Sequence, residues 1–250
     1  MKPGDTQFIE ALARVFKEFF VGLKGAKFDR FMETPLGNYL WKVNDIVSEI
    51  NQNLEDIKLA EKLIENFKPG NRPLKKKNNA AHLIRYHYEN YLLRTIKLSD
   101  LSLALINKVM RLELRNGTNL ESQLLKRLDP QYGKFEIIWG HMKQLTDHVK
   151  PYRNHLAHNG SVKHKDLALL NAHYTYELKH KTIVDEFRYE AVMTGVQREL
   201  IDKFTAQTKA YLLASDQVLT MIYMYLVKPF FDNVDVLVKQ QYKDKPTPEI

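Results

Sequence analysis

The chain has 250 residues, 44% hydrophobic and 27% charged, which supplies a sizeable core and excludes wholesale disorder. It has no cysteine, so disulfides and thiolate metal sites are excluded, and a reducing compartment, the cytoplasm, is expected. Lys and Arg (38) outnumber Asp and Glu (30), and the formal charge of +8 favours an anionic partner, with RNA, DNA and a membrane surface all eligible.

The opening Met-Lys-Pro-Gly-Asp-Thr has no apolar run behind it, so no secretory signal is expected. Phe8, Leu12, Val15, Phe16, Phe19 and Phe20 repeat at three and four residues, predicting a first helix that stops near Gly22 and Gly25. A second, long helix is predicted from Pro35 to Phe67, followed by a loop at Pro69, Gly70 and Pro73. Helical patterning then covers 79–114, with a division expected at the capping pair Ser99-Asp100 and a stop at Asn116-Gly117. Shorter helices are predicted over 120–128 and 135–149, the first ended by Pro130.

After a basic stretch, a long helical pattern runs from Val184 to Val227, and a last apolar piece follows Pro229. The run Val218–Val227 is roughly half the length of a membrane span, so it reads as a buried helix and no membrane partner is expected. Thr182-Ile183-Val184 is the best strand candidate and is very short. Trp41 and Trp139 sit in apolar patterns and read as core, while Lys75-Lys76-Lys77 reads as a solvated loop. The expectation is an all-α multi-helix bundle forming one domain over 1–250, with a frayed tail at about 243–250.

Chemistry concentrates in Lys150-Pro-Tyr-Arg-Asn-His-Leu-Ala-His-Asn-Gly160. Pro151 suits a first helical turn and Asn159-Gly160 a helix stop. Arg153 can hold a phosphate through two parallel hydrogen bonds, and His158 can move a proton near neutral pH. On an ideal helix five residues turn by about 500°, so Arg153 and His158 lie about 140° apart, whereas Asn154 and His158 share a face. A second copy of the motif across a two-fold axis would complete the site more naturally than one helix can. Lys150, Lys163 and Lys165 flank the motif as a phosphate-tracking surface requires, and Tyr152 can stack on a base.

His155 and His158 form an i, i+3 pair with His164 beyond, a pattern able to share a metal. Asp166 is the closest acid and no HExxH arrangement supports it, so no metal and no cofactor are expected. His141, His148 and His155 are spaced by sevens, but Pro151 interrupts the helix that would align them. Glu89 on the third helical region is a candidate to face the motif.

The stretch Tyr152-Arg153-Asn154-His155-Leu156-Ala157-His158-Asn159-Gly160 resembles the HEPN superfamily, whose mark is Arg, a polar residue, a few more residues and then His. The likeness covers about ten residues and is supported by the helical pattern of the rest. It implies a homodimer whose two motifs form one composite site for metal-independent RNA cleavage, in toxin–antitoxin, defence or RNA-processing systems. By that resemblance His158 acts in proton transfer, Arg153 stabilises charge developing on the phosphate, and Asn154 orients the site or holds RNA. An antitoxin or other regulatory protein is a further expected partner. One subgroup, silenced by a partner nucleotidyltransferase, carries Tyr two places after the motif histidine; here that place is Gly160. The family also holds members that bind RNA, a nucleotide or a protein without cleaving anything, and that is the alternative reading.

Overall fold

The structure is a computed structural model and describes residues 6–68, 80–115, 117, 119–128, 135–147, 149–152, 164–179 and 186–243. Among these residues there is no strand, and the architecture is all-α. The helices are α1 (Gln7–Phe20), α2 (Ala26–Glu33), α3 (Pro35–Glu65), α4 (Ala80–Val109), α5 (Leu120–Arg127), α6 (Phe135–Asp147), α7 (Lys165–Lys179) and α8 (Glu186–Lys243). The chain divides into two compact units. The first comprises Met1–Gln52, Leu98–Gln144 and Ser215–Ile250, and the second Asn53–Lys97 and Leu145–Ala214.

In the first unit the stripe on α8 made by Leu219, Ile222, Tyr223, Leu226 and Phe230 is fully buried. Phe8 of α1 stacks on Tyr223 (5.4 Å) and meets Phe230 edge-on (5.5 Å), while Tyr39 of α3 stacks on Phe230 (6.1 Å). In the second unit the core is Ile57, Ile64, Ile84, Leu92, Leu167, Leu170, Ile201 and Phe204, joined by the buried tyrosines Tyr88, Tyr91 and Tyr211. The Tyr211 hydroxyl donates to the Thr95 carbonyl (3.2 Å), so its burial leaves the phenol satisfied.

Local chemistry explains the start of α3. The Thr34 hydroxyl accepts the Gly37 N–H (3.0 Å) and donates to the Phe31 carbonyl (2.7 Å), a side-chain cap with Pro35 at the first helical position. A β-carbon on Gly37 would lie 1.9 Å from the Phe31 oxygen, so this close approach of α2 to α3 requires glycine. Helix α2 itself is absent from the sequence expectation, because it buries no residue fully and its pattern is only eight residues long.

The C-terminal end of α4 shows a different economy. Arg111 N–H bonds the Lys108 carbonyl (3.1 Å) and Leu112 N–H bonds the Asn107 carbonyl (3.1 Å), the paired bonds of a Schellman stop. The residue in the left-handed position is Arg111 (φ 53°), where glycine is usual, and Glu113 repeats the conformation (φ 53°). Each costs roughly 1–2 kcal/mol relative to ordinary helical backbone.

Several expectations need correction. Helix α4 is not divided at Ser99-Asp100; Leu98, Leu101 and Leu105 are all buried, so tertiary packing overrides the local capping tendency. It ends at Val109, before the Asn116-Gly117 stop. Residues read as a basic stretch include α7, which buries Leu167 and Leu170. Trp41 is 40% exposed, since Phe16, Phe20 and Phe28 cover only one side of it; Trp139 is buried as expected. The loop at 69–73, the Lys75–Lys77 run, Pro130, the candidate strand 182–184 and the tail beyond 243 lie outside the described residues.

Helix α8 continues through Pro229 instead of ending there. Proline removes one backbone donor and costs about 3 kcal/mol in a helix interior. Full burial of Leu226 and Phe230, at about 1.5–3 kcal/mol each, outweighs that loss. The Asn233 amide also donates to the Pro229 carbonyl (2.9 Å) and the Val109 carbonyl (3.0 Å), tying the helix to the end of α4. Within α8, Val192–Gln241 is long and apolar enough to cross a membrane by length and composition; its most apolar window has a mean hydropathy of 1.3 and is 39% buried. Replacement of Pro229 by Ala is expected to raise stability by about 1–3 kcal/mol, read as a higher urea midpoint at unchanged slope. An unchanged or lower midpoint would show that the proline is needed for the path of α8.

Candidate functional site

Arg153, Asn154, His158 and Lys163 lie outside the described residues, as do His148 and His155. The segment 153–163 is bracketed by Tyr152 and His164, both in the second unit. Residues 150–152 are helical, in keeping with Pro151 in a first turn. Lys150 is exposed and pairs with Asp147 (2.6 Å) at i, i+3, an exposed pair of little energetic weight. Tyr152 is 38% exposed, and Lys165 is exposed at the first position of α7.

Of the two bracketing residues, His164 packs against Tyr88 of α4, whereas Tyr152 acts on that phenol through electrostatics. The Tyr88 phenol is held well above its usual pKa by burial, with Tyr91 and Tyr152 adding through electrostatics. His164 meets the same ring edge-on at 6.2 Å and meets Phe204 edge-on at 5.2 Å. Tyr88 and Phe204 are themselves stacked, 3.7 Å apart and 4° from parallel. The Tyr88 hydroxyl lies 3.5 Å from the Gln207 side-chain oxygen, at the outer limit of a hydrogen bond.

His164 therefore packs as an aromatic residue and also starts α7, its carbonyl accepting the Ala168 N–H (2.9 Å). Its side chain is 13% exposed and Nδ1 is buried without a hydrogen-bond partner. The Asp166 carboxylate lies 3.8 Å from Nδ1, too far to bond it. Burial lowers the imidazole pKa below the usual 6.5; Asp166 opposes this and Lys203 reinforces it. His87, on the same helix as Tyr88, is also lowered by burial and stacks on Phe67 (6.3 Å).

The sequence treated His164 only as a third metal ligand. Its packing against Tyr88 and Phe204 was not legible, because those residues lie far away in the chain. Among the described residues no group of three or more His, Asp or Glu side chains is placed to hold a metal. Glu89 follows Tyr88 on α4 and is half-buried. Arg85, one turn earlier, has its Nε buried without a hydrogen-bond partner.

No family model matches the chain, and no curated protein and no solved structure matches it.

The lowered pKa of His164 carries a stability consequence. A histidine whose folded pKa lies below its unfolded value of 6.5 contributes stability that is present above that value and lost as pH falls toward the folded pKa. Unfolding free energy is therefore expected to fall between about pH 7.5 and pH 5, with His87 contributing in the same direction. The variant His164→Phe, which keeps the aromatic contacts and cannot be protonated, should flatten that slope in urea titrations across the range. An unchanged slope would assign the pH dependence elsewhere.

Proposed function

We propose that the protein is a metal-independent endoribonuclease of the HEPN type, acting as a homodimer in the cytoplasm. The observation that carries this reading is Arg153-Asn154 followed by His158 between basic and aromatic flanks, on an all-helical chain of charge +8. Support also comes from the all-helical fold, in which His164, directly after the motif's segment in the chain, packs edge-on against Tyr88 and Phe204.

In the proposed reaction the RNA 2′-oxygen attacks the adjacent phosphorus and the bond from phosphorus to the 5′-oxygen breaks. His158 serves proton transfer in this exchange, and the 5′-oxygen leaves as a hydroxyl. Arg153 stabilises the charge that develops on the non-bridging oxygens. Asn154 orients the site or holds the RNA, and Lys150, Tyr152, Lys163 and Lys165 extend the contact along the strand. The products carry a 2′,3′-cyclic phosphate and a 5′-hydroxyl. Because an ideal helix would set Arg153 and His158 about 140° apart, the proposed site is completed by a second motif facing the first across a dimer axis. Toxin–antitoxin, defence or RNA-processing roles suit such an activity, with an antitoxin or regulatory protein as partner; Gly160 argues against control by tyrosine modification at that place. A membrane role is not part of the proposal, because the apolar stripe of α8 is used to pack against α1 and α3.

Purified protein is expected to cleave end-labelled mixed RNA in excess EDTA and to leave cyclic phosphate ends. His158→Ala should lose about 10²–10⁴-fold in cleavage rate while binding RNA within a few-fold of the parent. Retained cleavage by His158→Ala would remove the proposed role. Cleavage by none of the proteins would favour a module that binds without cutting.

A further inference from the structure

The first unit holds a cleft of about 570 Å³ between α3 and the end of α4, within the size range of small-molecule sites. Three cations line it: Lys42 from α3, Lys108 from the last turn of α4 and Arg111 just beyond. Asp45 and Glu113 are its carboxylates, yet among the described residues none of the three cations has a carboxylate within the 4.0 Å of an ion pair. Burial lowers the Lys108 pKa, with Lys42 and Arg111 pushing the same way and Glu113 opposing. Arg111 likewise acts on Tyr39 at the cleft floor, where it opposes the upward push of burial.

An ordinary explanation for cations at this place is the negative end of α4. The carbonyls of that end are already satisfied without them. Ile106 O accepts from Met110 N–H (2.9 Å), Asn107 O from Leu112 N–H (3.1 Å) and Lys108 O from Arg111 N–H (3.1 Å). Val109 O accepts from the Tyr39 hydroxyl (3.2 Å) and the Asn233 amide (3.0 Å). Nor does the helix end call for Lys42, which comes from another helix.

The backbone points the same way. The left-handed position of the Schellman stop needs no side chain and favours glycine, but this chain places arginine there. The loop that follows is locked by Asn107, whose side chain donates to the Leu114 carbonyl (2.9 Å) and accepts the Leu114 N–H (3.1 Å). A pinned loop with left-handed backbone thus brings a third cation, the exposed Arg111, to a cleft that the exposed Lys42 and the half-buried Lys108 also line.

We propose that Lys42, Lys108 and Arg111 form a binding site for a small phosphate-bearing anion, separate from the Arg153/His158 motif. Arginine supplies planar paired donors and the two lysines supply point charges, a combination suited to phosphate oxygens. Asp45 and Glu113 in the same cleft repel an extended polyanion, so a compact phosphate ester is the ligand class and a nucleic-acid strand is not. The inference does not depend on RNA cleavage.

The test is calorimetric titration of the full-length protein with inorganic pyrophosphate and, separately, fructose 1,6-bisphosphate at constant ionic strength. Saturable one-to-one binding is expected, weakened at least about tenfold in Lys42→Ala and in Arg111→Gly. Arg111→Gly should also melt at or above the parent temperature, because glycine relieves the left-handed backbone while the charge is lost. Tighter binding of the bisphosphate would mean that an organic body contributes, and tighter binding of pyrophosphate that the phosphates alone are read. The proposal is overturned by no saturable heat from either probe, by unchanged affinity in either variant, or by a loss confined to Arg153→Ala.

Discussion

Burial of one face of helix α8 is the constraint on which the rest depends. In the first unit Leu219, Ile222, Tyr223, Leu226 and Phe230 are removed from water, and in the second Leu200, Ile201, Phe204 and Tyr211 are. At about 1.5–3 kcal/mol for each large apolar side chain, this face outweighs the local preference of any single residue along it. That is why Pro229 sits inside the helix, and why its carbonyl and that of Val109 share one asparagine as donor. The docking of α1 through Phe8 and of α3 through Tyr39 then follows from the same stripe.

The second unit is organised around an aromatic cluster shared by α4, α8 and the residue before α7. Tyr88 and Phe204 stack face to face and His164 closes the group edge-on. Burial lowers the imidazole pKa in that setting, because the charged form would lose hydration while Nδ1 has no hydrogen-bond partner. The histidine nearest the motif among the described residues is thus a packing group.

The first unit displays the opposite use of polar groups. There, Asn107 and Asn233 use their amides to fix the end of α4, and Lys42, Lys108 and Arg111 line a cleft without an ion pair among the described residues. Local backbone preference and residue identity disagree at Arg111, where glycine would be easier to accommodate. Such disagreements collect where a side chain serves something other than folding.

Much of the helical layout was legible in the sequence, because three- and four-residue repeats of large apolar side chains report a buried face directly. Helices α1, α3, α5 and α6 were anticipated to within a few residues at each end, and the motif around Arg153 was conspicuous by its residue types. What the sequence misjudged were elements whose local signals are weaker than tertiary packing. These were the continuity of α4 past Ser99 and of α8 past Pro229, the short helix α2, and the exposure of Trp41. The neighbours of Tyr88 and the gathering of Lys42, Lys108 and Arg111 were beyond it altogether. Helical periodicity fixes which face of an element is apolar, while the pairing of faces far apart in the chain is chosen only by how side chains fill space together.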